Sequence, residues 1–263
     1  MDELHRPFVR RLDAFSPLQM AEKVALATIE IGAQRVPAGT DLIQDGDRAE
    51  GMIVVVEGYA CRYKTRKNGR RQIMAYLVPG DVCDLDVLGL DRMDHAIGTL
   101  SKCRIARVGP DVAREVCWRP GVVRALQTAA RVDEATLRVW LVNLGCRSAV
   151  ERLAHLFCEL FVRLRAVGLV EGNSFMLPVT QHDLADTCGM TTVHVNRSLG
   201  ALKRDGLIAR NSKLLTILDL PRLMALADFQ PDYLRQSERT VRSDRKFLDG
   251  AADLRIAEVL VRT

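Results

Sequence analysis

The hydrophobic pattern of the 263-residue chain changes period at Pro120, and this change limits the fold more than any single residue does. From Val36 to about Val108, short β-branched runs alternate with Gly39, Gly46, Gly51, Gly58, Gly69, Gly80, Gly89 and Gly98. Strand-length runs broken by glycine turns predict an antiparallel, jelly-roll-like β-roll. The run Met52-Ile53-Val54-Val55-Val56 between Gly51 and Gly58 is apolar on both faces, as a buried strand is. Lys67-Asn68-Gly69-Arg70 marks a hairpin turn, around which Arg62, Lys64, Arg66, Lys67, Arg70 and Arg71 gather. Such a charge run reads first as a solvated tip and second as a surface for DNA or another polyanion.

Beyond Pro120 the apolar residues recur at helical spacing: Val123, Leu126, Ala130, Val132, Leu137, Leu141 and Leu144 among arginines. A long helix leaving a compact roll cannot bury this stripe on its own domain, so the expected partner is the same helix of a second chain. The expected dimer residues are Leu126, Ala130, Leu137, Leu141 and Leu144. Ser148-Ala149-Val150-Glu151 has capping-box spacing and opens a further helix through Leu153, Leu156, Phe157, Leu160, Phe161 and Leu164 to about Gly168. Val170 to Pro178 reads as a short extended connection.

Composition narrows the class without naming a function. A 48% hydrophobic content supports a substantial core, and the length suits two modest domains. No window approaches the roughly 18 apolar residues of a membrane span, and Met1-Asp2-Glu3-Leu4-His5-Arg6 lacks a leader's basic-then-apolar order, so a cytoplasmic protein without membrane contact is expected. The seven cysteines are dispersed without metal-ligand spacing and read as ordinary thiols. His5, His95, His155, His182 and His194 are also dispersed, which argues against a β-barrel metalloenzyme and leaves no catalytic residue to name. The net charge of +5 is compatible with nucleic acid but too mild to establish it.

Thr180-Gln181-His182-Asp183 is a second capping box, opening a short helix that stops at Gly189. Thr191 or Thr192 caps the next helix, which carries Val195, Leu199 and Leu202 inward and ends at Asp205-Gly206. Two short helices about a glycine turn make a helix-turn-helix, whose second helix fits the major groove. Leu207 to Arg210, Asn211 to Lys213 and Leu214 to Ile217 then read as the strand, turn and strand of a wing.

With these residues in place, the sequence resembles the Crp/Fnr family of bacterial transcription regulators over about residues 30 to 230. The resemblance rests in the sensor half on Pro37-Ala38-Gly39, Asp45-Gly46, Val56-Glu57-Gly58 and Pro79-Gly80-Asp81. In the other half it rests on Leu184-Ala185, Gly189, Thr191, Val195, Arg197, Leu199 and Gly206-Leu207-Ile208. It implies an α+β chain with four parts: a cyclic-nucleotide-binding-like sensor domain with an N-terminal helix over 1–118, a dimerisation helix over 119–147, a winged helix-turn-helix over 148–233, and an extension over 234–263. It also implies a homodimer on a pseudo-palindromic operator, and contact with RNA polymerase if the chain activates. The alternative is a cyclic-nucleotide-sensing module that acts through protein partners, since the same roll serves channels and kinases.

The departures concern the effector. Cyclic-nucleotide binders of the family carry a Gly-Glu pair and then an Arg-Ser pair that receives the phosphate. Here Gly80-Asp81 is kept, while Met93-Asp94-His95-Ala96 stands where the Arg-Ser pair belongs, and Asp94 would repel a phosphate. Arg92 lies slightly early, and Leu137 and Arg138 replace the polar residues that meet the adenine. Cyclic AMP is therefore not the expected effector. No cysteine precedes Cys61, so the family's N-terminal iron-sulfur cluster is not expected either, and His95 or Cys83 is the weak candidate for a haem ligand. The effector is left unassigned, with Gly80, Asp81, Arg92, His95, Leu137 and Arg138 as candidate lining.

For DNA, Arg197 is expected to donate to guanine O6 and N7, and Val193 to offer methyl contact where relatives present a carboxylate. Thr192, His194 and Asn196 are candidates for base edges or phosphate, and Thr180, Gln181, Thr191, Lys203 and Lys213 for backbone positioning. The charged stretch Gln236 to Lys246 and the apolar-spaced Phe247, Leu248, Leu254, Ile256, Val259 and Leu260 lie outside the resemblance.

Overall fold

The computed structural model describes residues 6–48, 51–83 and 92–234. The C-terminal extension, the turn residue Gly89 and His5 lie outside these residues.

Two helices, α1 (Pro7–Phe15) and α2 (Met20–Ile31), precede the roll. Proline in the first turn starts α1, and a capping box formed by Gln19 and Glu22 starts α2. The roll consists of β1 (Gln34–Val36), β2 (Asp41–Ile43), β3 (Met52–Glu57), β4 (Ala60–Thr65), β5 (Arg71–Leu77), β6 (Ala96–Thr99) and β7 (Cys103–Val108). They form two antiparallel sheets, ordered β1-β7-β3 and β2-β6-β4-β5. Alternation along each strand divides the side chains between two cores. Ala60 and Leu77 point into the roll with Leu42, Ile53, Val55, Met93, Ile97 and Ile105, whereas Cys61 and Tyr76 face outward onto the later helices. Among the described residues the inside of the roll is thus filled with apolar side chains.

The β4–β5 turn differs in detail from a two-residue Asn-Gly turn. Gly69 N–H donates to Arg66 O, Arg66 N–H donates to Arg70 O, and among the turn residues only Gly69 has a positive φ, of 79°. This is the longer hairpin class, in which glycine takes the left-handed position after a tight turn.

A short helix, α3 (Pro110–Cys117), leads to α4 (Pro120–Cys146), which proline again starts. The apolar stripe expected of α4 divides between two faces. Val122, Ala125, Val132, Thr136, Trp140 and Asn143 are buried within the chain, while Ala130, Leu137 and Leu141 point to solvent, the two leucines 54% and 72% exposed. Val132 therefore leaves the predicted partner-facing stripe. Leu126 and Leu144, expected at the dimer interface, are half-buried against their own chain, Leu126 beside the α1–α2 core and Leu144 beside Gly189. Helix α4 carries apolar residues on two sides, and its own chain, chiefly α1, covers one of them.

Helix α5 (Ala149–Ala166) is opened by the predicted box, in which Ser148 Oγ accepts from Glu151 N–H and Glu151 Oε2 accepts from Ser148 N–H at 2.7 Å. A buried ionic chain joins it to the roll. Arg163 lies 2.6 Å from Asp81 and 3.0 Å from Glu159, and Arg11 of α1 lies 2.9 Å from the other Asp81 oxygen. Glu159, fully buried, also accepts from Trp140 Nε1 at 2.8 Å and from the Tyr233 hydroxyl at 2.9 Å. Trp140 in turn meets the Tyr76 ring edge-on at 5.9 Å. Buried charges persist only when they are compensated, and each member of this chain has an ionic partner, although Arg11 Nε and Nη2 make no hydrogen bond among the described residues.

The C-terminal part comprises β8 (Ser174–Met176), α6 (Gln181–Cys188), α7 (Thr192–Arg204), β9 (Ile208–Asn211), β10 (Leu214–Ile217), α8 (Leu220–Ala227) and a closing turn of 3₁₀ helix, Pro231–Leu234. The extended connection after α5 supplies β8, which pairs with β10 and makes the wing a three-stranded sheet ordered β8-β10-β9. Leu153, Phe157, Phe161, Leu184, Val195, Leu199, Leu202, Leu215 and Leu223 share its core.

Candidate nucleic-acid interface

The turn between α6 and α7 is fixed at both ends. Thr180 Oγ1 accepts from Asp183 N–H, and Asp183 Oδ2 accepts from Thr180 N–H at 2.9 Å, closing the predicted box. At the other end Gly189 takes φ 61°, and its N–H and that of Met190 donate to Ala185 O. A Cβ on Gly189 would lie 3.1 Å from Leu144 Cδ2, so the turn is also pressed against α4. Thr191 caps α7, with its hydroxyl accepting from His194 N–H and lying 2.9 Å from His194 Nδ1.

With Val195, Ser198, Leu199 and Leu202 buried, α7 turns its opposite face to solvent. Thr192, Val193, Asn196, Arg197, Gly200 and Arg204 line one shallow groove, joined by Gln181 from the start of α6. Residues 193, 196, 197, 200 and 204 follow helical spacing, so they form a continuous stripe. Gly200 leaves the centre of that stripe without a side chain, which permits close approach. Val193, an apolar residue, is 65% exposed.

The predicted DNA residues therefore fall into three groups. Gln181, Thr192, Val193, Asn196 and Arg197 share the groove. Thr180, Thr191 and His194 lie at the helix starts, exposed but engaged in capping contacts. Lys203 and Lys213 are exposed outside the groove lining, Lys213 at the wing turn. Gly200 and Arg204 are the groove residues that the sequence reading missed, and of the two only Arg204 carries a side chain that can contact DNA. Its spacing, seven positions after Arg197, was the available signal.

Of the effector candidates, Gly80 and Asp81 line one small pocket with Arg11, Asp133 and Arg163, and Arg92, His95, Leu137 and Arg138 lie outside its lining. Gly80 closes a corner at φ 93°, where a Cβ would stand 2.6 Å from Pro7 O. Asp81, an expected effector-pocket residue, faces α1 and α5 and pairs with Arg11 and Arg163. Burial pushes its carboxyl up, but Arg11 and Arg163 outweigh this and hold it below the usual carboxylate range. Arg92 donates to Gly46 O at 2.8 Å, and His95 Nδ1 lies 2.7 Å from the exposed Asp94 carboxylate. Leu137 is on the exposed face of α4, and Arg138 there pairs with Glu134 at 3.2 Å. Residues 84–91, between Asp81 and Arg92, lie outside the described residues.

Among the described residues no helix is long and apolar enough to cross a membrane, and no group of three or more His, Cys, Asp or Glu is placed to hold a metal.

Two family models match the chain: the cyclic nucleotide-binding domain over residues 33–119 and the Crp-like helix-turn-helix domain over residues 151–226. The nitrogen fixation regulation protein FixK of Bradyrhizobium diazoefficiens is 30% identical over 72% of this chain and 79% of its own. The transcriptional activator protein FnrL of Cereibacter sphaeroides is 32% identical over 74% of this chain and 80% of its own. Among solved structures, FixK2 from Bradyrhizobium japonicum superposes with a TM-score of 0.64 at 23% identity, covering 74% of this chain and 96% of that one. The c-di-GMP-responsive regulator CLP of Xanthomonas campestris gives 0.57 at 16%, covering 74% and 99%. The sensor roll, the capped helix-turn-helix with its wing, and these matches over most of the sequence together show that the chain belongs to the Crp/Fnr family of DNA-binding transcription regulators.

Proposed function

We propose that the chain binds a pseudo-palindromic operator as a homodimer, reading bases through the α7 stripe. The observation that carries this reading is the single groove shared by Gln181, Thr192, Val193, Asn196, Arg197, Gly200 and Arg204. Arg197 donates to a guanine edge, and Val193 meets a thymine methyl in place of a cytosine contact. Thr191, Lys203, Arg204 and Lys213 position the backbone. RNA polymerase is a further partner if the chain activates, the protein works in the cytoplasm, and no catalytic chemistry is assigned to it. The alternative, a module that acts on protein partners instead of DNA, gives no reason for a capped recognition helix with its polar face open.

Dimerisation runs through the exposed face of α4, where Ala130, Leu137 and Leu141 lie at helical spacing. Leu141→Asp places an unpaired charge in that contact and should give a monomer by light scattering at micromolar concentration. A dimer of unchanged size would remove α4 as the interface. Selection of DNA from a random pool tests the whole reading. It should enrich two inverted half-sites with centres about 34 Å apart, and enrichment of no sequence would contradict it.

A further inference from the structure

The basic β4–β5 hairpin has no part in the interface described so far. Its sequence from Arg62 to Gln72 contains six cations and no carboxylate. Two of the six turn inward. Arg62 pairs with Asp133 and donates to Cys83 O, and Arg71 lies 2.7 Å from Asp183 and 2.8 Å from Asp186 on α6. Lys64 stands 3.7 Å from Asp45, both exposed. Arg66, Lys67 and Arg70 are exposed and, among the described residues, make no ion pair.

Contacts with α6 fasten this hairpin to the helix-turn-helix. Tyr76 and Gln72 of β5 meet Thr187, in the last turn of α6, while Arg71 meets Asp186 and then Asp183, towards the first turn. Tyr76 and Gln72, four residues apart, thus both meet Thr187, and Arg71 carries the contact on to Asp183. Gln181, two residues before Asp183 at the start of α6, lines the groove described above. The Tyr63 ring, 5.7 Å from the Arg71 guanidinium, adds to the attachment.

We propose that Arg66, Lys67 and Arg70 form a second phosphate-binding surface, one that grips DNA backbone just outside the half-site read by α7, with Arg71 as the positioning residue that ties the hairpin to α6. The proposal rests on the DNA-binding reading above and adds a contact made by the sensor domain. The chemistry suits a polyanion in extended form: duplex DNA presents a negative charge about every 1.7 Å along its axis, and three long cationic side chains on a tight turn need no base sequence to engage it. Continuity with the groove favours DNA over an acidic protein surface, because the hairpin is fastened to the helix that starts at the groove.

The test measures the salt dependence of binding for two duplexes, one cut at the ends of the selected operator and one extended by about one helical turn of arbitrary sequence on each side. The parent protein should show a steeper slope of log affinity against log salt on the extended duplex. The Arg66→Ala/Lys67→Ala/Arg70→Ala variant should lose that increment, by about 0.9 for each phosphate contact removed, and keep both its affinity for the short duplex and its base preference. Arg71→Gln, which retains all three tip cations, should lose part of the increment as well. Equal slopes for parent and triple variant on the extended duplex would overturn the proposal while leaving operator binding intact, as would a loss of the same size on both duplexes. Loss of transcription activation with unchanged DNA binding would assign the hairpin to a protein partner and also overturn it. Failure of the parent protein to select any operator would remove the DNA-binding reading itself, and this proposal with it.

Discussion

The winged helix and the sensor roll are held together over different distances along the chain. Around the recognition helix, the contacts that set the geometry span three residues: Thr180 with Asp183, and Thr191 with His194. In the roll they reach much further, with Arg62 and Asp133 separated by 71 residues, Asp81 and Arg163 by 82, and Arg71 and Asp183 by 112. The helix-turn-helix surface is thus built from short-range pieces, while its position relative to the roll depends on long-range ion pairs and on the core that Tyr59, Cys61, Ile73, Tyr76 and Val78 share with the later helices. A chain arranged this way can vary what its roll senses without altering how its recognition helix is capped.

Three experiments separate these two kinds of contact, beginning with the largest effect. Arg163→Met leaves Glu159 buried with one donor fewer and Asp81 with Arg11 and the Val78 N–H. Breaking a buried ionic cluster from one side typically costs about 3–5 kcal/mol, and urea unfolding should register a loss of that order. A loss below about 1 kcal/mol would mean that the network adds little to the union of the two parts. Ser148→Ala removes one local cap of α5 and should cost only about 1 kcal/mol in the same assay. If the two variants were equally destabilised, the contrast between short-range and long-range support would fail.

The smallest expected effect is an absent one. Cyclic AMP at millimolar concentration should not shift the melting temperature in a saturable way, because Asp94 and Leu137 stand in place of favourable contacts and Arg92 is bonded to Gly46 O. A ligand present at a hundredfold excess over its dissociation constant would add about 2.7 kcal/mol, which a melting experiment would detect. A saturable rise would show that the departures at Asp94 and Leu137 do not exclude a cyclic nucleotide.

The same division decides what could be read from the sequence. The caps at Ser148, Thr180 and Thr191, the glycine stop at 189 and the wing strands are local patterns, and the sequence carries each of them within a few residues. The exposed face of α4 was legible only in part, because apolar residues occupy two sides of that helix and Val132 and Leu137 look alike until the rest of the chain covers one. The pairing of Asp81 was hidden because its partners, Arg11 and Arg163, have no sequence signature linking them to it. Arg71 was grouped with the solvated hairpin for the same reason, since nothing near it announces Asp183 and Asp186. Arg204 could have been found from its spacing to Arg197 alone.

The central claim is that α7 reads bases, and the affinity of Arg197→Ala for the selected operator tests it most directly. Loss of one bidentate contact to guanine is worth about 1–3 kcal/mol, so binding should weaken roughly 5- to 150-fold, with relaxed preference at one symmetric G·C pair. A variant that bound the operator as tightly and as selectively as the parent protein would contradict the claim.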